Sequence, residues 1–350
     1  MFGLKKPAYA AKCVLLDQLP DYPVAADWSA DDTRLALAAA DGSIHVYSPE
    51  YPERTTRWQA HDGCIQALRW HPTLPLLSSG GQDGRIRHWS FDTAGAPQQH
   101  AESPRLGNWI EDMAWHPEGR YLAVTVGREA LLFDHEGYLH NRVDFETSTI
   151  AGLAWHPRGT ALALAGYGGV MLVSGVADRP TLCRLAWHGS LLNCLWSPDG
   201  KVLAACRQDN AIHFWRLKTQ RDSAISGYDG KPRAMAFSAD SRYLVTGGSE
   251  RLTAWKFVGD GPEGRPPLEM LYHQSTVTTL CLHPDTGHVA AGDKSGVVSL
   301  WEAAGSAQPY YHFALASEPA LLSWRNWKGR QLLAVADQNG RLELLDIRVA

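Results

Sequence analysis

The chain has 350 residues, with 33 Lys and Arg against 37 Asp and Glu, which gives a formal net charge of −4. This mild acidity argues against broad nucleic-acid binding through a basic surface. The 45% of hydrophobic and 20% of charged residues exclude disorder of the whole chain. Fourteen tryptophans are the unusual feature of the composition.

The chain start predicts the cellular compartment. Residues 1–19 contain two lysines but no long apolar run, so we expect neither a secretory signal nor a transit sequence. No apolar run reaches 18 residues, which predicts that the chain neither spans nor binds a membrane. Six scattered cysteines include no Cys-x-x-Cys pair, so we expect neither disulfides nor zinc. These features together predict a cytoplasmic protein without a cofactor.

One pattern recurs along the whole chain. An apolar strand ending in Trp is followed by a His/Ser-Pro-x-Gly turn, a Leu-Ala-x-Ala strand, a Gly-bearing turn and a strand that ends in an aromatic residue. It is clearest from Gln66 to Trp89 and from Cys194 to Trp215. The first strands end, in order, at Trp28, Trp70, Trp115, Trp155, Trp196, Phe237, Leu282 and Trp324. A period of about 40–45 residues is typical of propeller blades.

A fourth strand precedes each following unit. Residues 54–60, 138–145, 180–187 and 268–273 alternate apolar and polar residues imperfectly, as half-buried strands do. Eight anchors predict an all-β, eight-bladed propeller of four-stranded blades that forms a single domain over residues 1–350. The segment 12–19 is expected to complete the last blade beside 341–345 and so to remove open sheet edges. Seven blades are the alternative, in which one weak end unit falls outside the ring.

These repeats resemble the WD40-repeat family of β-propellers, and the resemblance covers nearly the whole chain. In the second unit His61, Ser79, Asp83 and Trp89 match the family's structural hydrogen-bonded tetrad. The resemblance implies that these four residues stabilise a blade and do not catalyse a reaction.

Other units depart from this pattern. The fifth keeps His188, Asp209 and Trp215 but has Ala205 at the serine position, and the seventh keeps His273 and Trp301 but has Ser295 at the aspartate position. The first keeps Asp41 alone.

Signatures of catalysis are missing from the sequence. It contains no GxxxxGK[ST], HExxH or GxSxG motif, and we expect a protein that is not an enzyme. The histidines of four His-Pro turns are expected on one rim, too far apart to share a metal: His71, His116, His156 and His283.

The turns between second and third strands form the usual partner face in the resembled family. Exposed Trp, Tyr and Arg side chains are enriched at interface hot spots. We therefore predict that partner binding involves Trp109, Arg128, Tyr167, Tyr228, Arg251 and Lys294.

The leading hypothesis is a protein-protein interaction scaffold, a monomeric propeller that acts as a subunit or adaptor of a larger complex. It would bind a peptide or protein and not nucleic acid. The alternative is a propeller that holds a small ligand or a metal at the mouth of its central channel.

Overall fold

The computed structural model describes residues 9–176, 180–259 and 261–349, and every regular element in these ranges is a β-strand. The Gly- and Pro-rich segment 259–267 lies between two strands of the sixth unit, and its residue 260 lies outside the described residues.

The strands follow the repeat units closely. The chain opens with β1 (Tyr9–Gln18). The first unit has β2 (Pro23–Trp28), β3 (Leu35–Ala39), β4 (Ser43–Tyr47) and β5 (Thr56–Gln59). The second has β6 (Ile65–Trp70), β7 (Leu77–Gly81), β8 (Ile86–Phe91) and β9 (Pro97–Glu102). The third has β10 (Asp112–Trp115), β11 (Leu122–Val126), β12 (Glu129–Phe133) and β13 (Leu139–Asp144).

The middle and the end of the chain continue this order. The fourth and fifth units have β14 (Gly152–Trp155), β15 (Ala161–Ser174), β16 (Thr181–Trp196), β17 (Val202–Arg207), β18 (Ile212–Arg216) and β19 (Arg221–Ile225). The sixth has β20 (Met235–Phe237), β21 (Tyr243–Thr246), β22 (Arg251–Lys256) and β23 (Leu268–Leu271). The seventh has β24 (Val277–Leu282), β25 (Val289–Asp293), β26 (Val297–Trp301) and β27 (Tyr311–Ala314). The last has β28 (Pro319–Trp327), β29 (Arg330–Asp337) and β30 (Arg341–Val349).

The expectation of eight separate four-stranded blades is wrong. The described strands form seven hydrogen-bonded sheets, six of four strands and one of six strands in the order β14-β15-β16-β17-β18-β19. Counted by sheets, the propeller therefore has seven blades.

The physical reason is a long strand in the middle of the chain. Thr181 to Ala186 of β16 pair with β15, whereas Leu191 to Trp196 pair with β17, so one strand serves both as the last strand of the fourth unit and as the first of the fifth. Both end units lie in sheets, so the lower count does not arise from a weak end unit, which was the basis of the seven-blade alternative.

The two chain ends close the ring, as the sequence predicted. β1 pairs antiparallel with β30 from Tyr9–Val349 to Gln18–Arg341, which completes the sheet β1-β30-β29-β28. Leu15 and Leu19 are buried in the same apolar cluster as Trp28 and Leu344. The last sheet is therefore assembled from residues more than three hundred positions apart, and its edge at β30 is covered.

The first strands of the units line the centre of the ring. β2 contacts both β6 and β28, and β24 contacts β20 and β28, so neighbouring sheets meet at their first strands. Apolar residues of adjacent sheets fill the wedges between them. Ala36, Ile44, Leu68 and Trp89, for example, belong to one cluster between the first and second units. The core is therefore a series of layers between sheets.

Two faces of the ring are distinguished by their turns. We call the face that carries the turns between second and third strands, together with the loops entering each first strand, the turn face. The opposite face carries the turns between first and second strands and between third and fourth strands. Because successive strands run antiparallel, every unit presents the same kind of turn on the same face.

Candidate partner-binding face

The second unit contains a chain of hydrogen bonds beneath its turn. His61 Nδ1 lies 2.9 Å from Asp83 Oδ1, and His61 Nε2 lies 2.8 Å from Ser79 Oγ. Trp89 Nε1 donates to the same Ser79 oxygen at 2.9 Å. His61 and Ser79 are buried, so these bonds fix the loop before β6 against the turn that follows β7.

The negative charge of the carboxylates in and beside this network is balanced by an arginine. Arg87 donates to Asp83 Oδ2 at 2.7 Å and to Glu102 Oε2 at 2.7 Å. Burial would raise the pKa of Asp83, but the hydrogen bonds from Arg87 and His61 hold it below its ordinary value. Burial lowers the pKa of His61, against the pull of Asp83, so the imidazole is neutral near pH 7.

The seventh unit has an equivalent network from different positions. His273 Nδ1 lies 2.7 Å from Asp293 Oδ2, and His273 Nε2 lies 2.7 Å from Ser299 Oγ, to which Trp301 Nε1 donates at 2.8 Å. The expectation that Ser295 replaces the aspartate is corrected, because Asp293, two residues earlier, supplies the carboxylate. Asp293 and Ser299 were missed because each lies outside the position that the second unit predicts.

The sixth unit uses a tyrosine in the same place, and it is one of the predicted partner-binding residues, Tyr228. The hydroxyl of Tyr228 accepts a hydrogen bond from Trp255 Nε1 at 2.8 Å and lies 2.8 Å from Thr246 Oγ1. Only part of the Tyr228 side chain reaches the surface. Its hydroxyl takes the place of the histidine of the second and seventh units, and its contact with a partner stays a prediction.

The fifth unit also departs from the tetrad. His188 is exposed, while its neighbour Trp187 stacks on His213 at 4.1 Å between ring centroids. The Arg207 guanidinium lies over the Trp187 ring at 4.1 Å from its centroid and donates to Asp209 at 2.7 Å. An aromatic and cationic stack therefore replaces the histidine network.

The five other predicted partner-binding residues are exposed, but the structure does not bring them together as one cluster. Trp109 and Tyr167 are 55% and 57% exposed, which is unusual for aromatic side chains. Arg128 pairs with Asp144 at 3.1 Å and Arg251 with Glu269 at 3.0 Å. Lys294 is exposed on the turn after β25.

Two clefts open on the turn face. The first, of about 430 Å³, lies between the turn of the second unit and the loop before β10, and its lining residues are Gln82, Asp83, Gly84, Arg105, Leu106, Gly107, Asn108 and Trp109. The second, of about 540 Å³, spans the fifth to seventh units and includes Lys294. Trp109 and Lys294 thus belong to separate clefts. Lys231 and Arg233, which also line the second cleft, were missed although a Gly-Lys-Pro-Arg loop was a visible signal.

The His-Pro turns on the opposite face have a structural role. His71 Nε2 lies 3.0 Å from the carbonyl oxygen of Gly119 in the next unit, and His116 Nε2 lies 3.1 Å from that of Gly159. Each ring packs edge-on against the next first-strand tryptophan, His71 on Trp115 and His116 on Trp155. These histidine–glycine contacts join neighbouring units.

Within the described parts of the chain, no group of three His, Cys, Asp or Glu side chains is arranged to hold a metal ion. No helix among the described residues is long and apolar enough to cross a bilayer.

Comparison with known families supports this description. The model of the WD domain, G-beta repeat, matches residues 52–90 and 265–302. These are the segments that contain the two complete His-Ser-Asp-Trp networks. The model of the eukaryotic translation initiation factor eIF2A matches residues 90–232.

Individual relatives are distant. The chain is 22% identical to the 66 kDa stress protein of Physarum polycephalum, over 78% of this chain and 44% of that protein. It is 22% identical to WD repeat-containing protein AAC3 of Dictyostelium discoideum, over 67% and 46%, respectively. It is 30% identical to the intraflagellar transport protein 80 homolog of Rattus norvegicus, over 46% of this chain and 20% of that protein. The chain thus spans about half or less of the length of these relatives.

Among solved structures, the computationally designed Ika8 protein superimposes with a TM-score of 0.79 at 17% identity, over 96% of this chain and all of that one. This likeness concerns the fold alone. Repeats, fold and family models together define the class, a β-propeller built from repeats. The WD-domain matches and the WD repeat-containing relatives support a WD40-repeat β-propeller family for this chain.

Proposed function

We propose that this propeller is a non-catalytic interaction scaffold, a subunit or adaptor that binds a protein partner on its turn face. The WD40 repeats support the general class, since a rigid ring with many loops is suited to docking. Relatives named as WD repeat-containing proteins and as an intraflagellar transport protein are consistent with such a role.

The exposed indole of Trp109 is the observation that carries the choice of face. Its side chain is 55% exposed and lines a cleft with Arg105 and Asn108, directly beside the turn held by Asp83. The loop is anchored by backbone hydrogen bonds from Leu106 to Gly84 at 2.7 Å and from Ile110 to Gly81 at 3.2 Å. A large apolar side chain on a fixed loop loses little conformational entropy when a partner covers it.

Substitution of Trp109 tests this proposal. The full chain, its Trp109→Ala variant and a Tyr138→Ala control are immobilised, and proteins retained from a native lysate are quantified by mass spectrometry. Tyr138 is 70% exposed and lies at the other end of the third unit, on the opposite face. We expect Trp109→Ala to weaken retention of a stoichiometric partner by about ten-fold or more, the loss typical of a hot-spot aromatic residue.

The control gives the result that would contradict the proposal. If Tyr138→Ala lowers retention while Trp109→Ala leaves it unchanged, the partner binds the opposite face. Equal circular-dichroism spectra and melting temperatures of the three proteins would show that the difference arises at the surface.

A further inference from the structure

The cleft of about 540 Å³ on the turn face carries an unusual surplus of positive charge. It spans the turn of the fifth unit, the loops entering β20 and β24 and the turn of the seventh unit. Lys231, Arg233 and Lys294 line it together with a single acidic residue, Asp229. The whole chain has a net charge of −4, so this local surplus is not a consequence of overall composition.

The three cations also lack acidic partners. Among residues 9–176, 180–259 and 261–349, no carboxylate lies within 4.0 Å of the charged atoms of Lys231, Arg233 or Lys294. Two arginines elsewhere on the same face are paired, Arg128 with Asp144 and Arg251 with Glu269. The three cations of this cleft therefore stand without a carboxylate partner, unlike these two arginines.

The backbone that presents the cations is held firmly. Asn193 donates to the carbonyl oxygen of Arg233 at 3.1 Å, and Lys294 N donates to Thr276 O at 3.0 Å. Gly248 packs so closely on Lys231 and Pro232 that a β-carbon there would come within 3.0 Å of their backbone atoms. Loops from three consecutive units are thus fixed against each other, and the charged side chains project from an ordered base.

We propose that this cleft binds an acidic segment of a partner protein, an extended stretch rich in Asp and Glu. The inference rests on the proposed scaffold function and adds the chemistry of the ligand. Several carboxylates along one extended chain could meet cations that two neighbouring units present, Lys231 and Arg233 on the loop before β20 and Lys294 on the turn after β25. Complementary charge of this kind steers association and fixes the register of the bound segment.

A binding assay with a defined probe tests the inference. Fluorescence anisotropy measures the affinity of a fluorescein-labelled oligoglutamate peptide for the full chain at low and at physiological salt. The test variant carries Lys231→Gln, Arg233→Gln and Lys294→Gln. The control variant carries Arg158→Gln, Lys218→Gln and Lys256→Gln, which remove the same charge from exposed sites on the opposite face.

We expect the peptide to bind the native and control proteins equally and the test variant about ten-fold more weakly, with a weaker dependence on salt. Equal loss in both variants, or no binding to the native chain, would overturn the inference. Tighter binding of a single-stranded oligouridylate at the same residues would also overturn it. The proposed function is judged separately, because partner retention that depends on Trp109 would persist if the acidic-segment inference failed.

Discussion

At the scale of residues, the tryptophans and histidines that stand out in the composition hold units together. Trp155 Nε1 donates to Ala114 O at 2.9 Å and Trp196 Nε1 donates to Ala154 O at 3.1 Å, so each indole bonds to the preceding unit. His71 and His116 make a reciprocal contact toward the following unit. The repeat therefore encodes the joints between units as well as the units themselves.

The histidine–glycine contacts predict a difference between two glycines. Gly119 and Gly95 both have positive φ, but a β-carbon at Gly119 would lie 2.2 Å from the His71 ring, whereas nothing lies within 4 Å of one at Gly95. Gly95→Ala should cost about 1 kcal/mol from backbone strain. Gly119→Ala should cost about 2 kcal/mol more because the contact must open. Urea denaturation measures both, and equal losses would show that the contact contributes nothing to stability.

The same contacts predict how stability depends on pH. Backbone amides donate to the Nδ1 atoms of His71 and His116, so each ring is neutral with its proton on Nε2. Burial lowers the pKa of both rings, and burial together with the nearby His100 and His135 lowers the pKa of His88 to about 4. In the unfolded chain the same histidine side chains take up a proton near pH 6.5. The contribution of these neutral rings to the free energy of unfolding should therefore be fully present above about pH 6.5 and should be lost as the pH falls toward about pH 4.

Melting temperatures between pH 8 and about pH 4 measure this dependence. His88→Gln should be less stable than the native chain at pH 8 but should show a shallower decline below about pH 6.5, because one group that gains a proton on unfolding is removed. A native melting temperature that stays constant from pH 7 to about pH 5 would contradict the assignment of neutral buried rings.

At the scale of elements, β1 decides whether the last sheet is closed. Along this strand Leu15 is 6% exposed and packs in the cluster with Trp28, whereas Leu16 points away and is 58% exposed. Leu15→Ala should therefore destabilise the chain by about 2–4 kcal/mol, and Leu16→Ala by less than about 0.5 kcal/mol. Chemical denaturation of the two variants provides the comparison. Similar small losses in both would mean that β1 contributes little to closure.

Prediction from sequence worked where one side chain or turn determines an element. The Trp-ended strands, the glycine turns and the pairing of 12–19 with the chain end all follow from local pattern and from the need to cover an edge. The sheet count could not be obtained this way. Whether Thr181–Trp196 bends into two strands or continues as one depends on tertiary pairing with β15 and β17, which the repeat does not encode.

The site was predictable to a smaller degree. The exposure of Trp109 could be predicted because a tryptophan in a polar loop breaks the pattern that the other tryptophans follow, and its contact with a partner stays a prediction. The structural role of Tyr228 was missed because its hydrogen bonds to Thr246 and Trp255 join residues far apart in sequence. Asp293 and Ser299 were missed for a different reason. Their side-chain oxygens contact His273 as Asp83 and Ser79 contact His61, but they come from other positions in the repeat.

At the scale of the whole molecule, the two faces differ in what they offer a partner. The turn face carries Trp109, Tyr167 and a cleft of unmatched cations. On the opposite face, the histidines of the His-Pro turns are buried in contacts between units, as His71 and His116 are. The central claim is therefore that partners of this WD40-repeat propeller dock on the turn face.

Lysines on both faces allow one direct measurement, cross-linking mass spectrometry of the complex isolated with the full chain. Lys231 and Lys294 are exposed on the turn face, whereas Lys201, Lys218, Lys256 and Lys328 are exposed on the opposite face. Cross-links from Lys231 and Lys294 to the partner, with the other four lysines linked only within the chain, are the predicted result. Partner cross-links confined to Lys201, Lys218, Lys256 and Lys328 would contradict it.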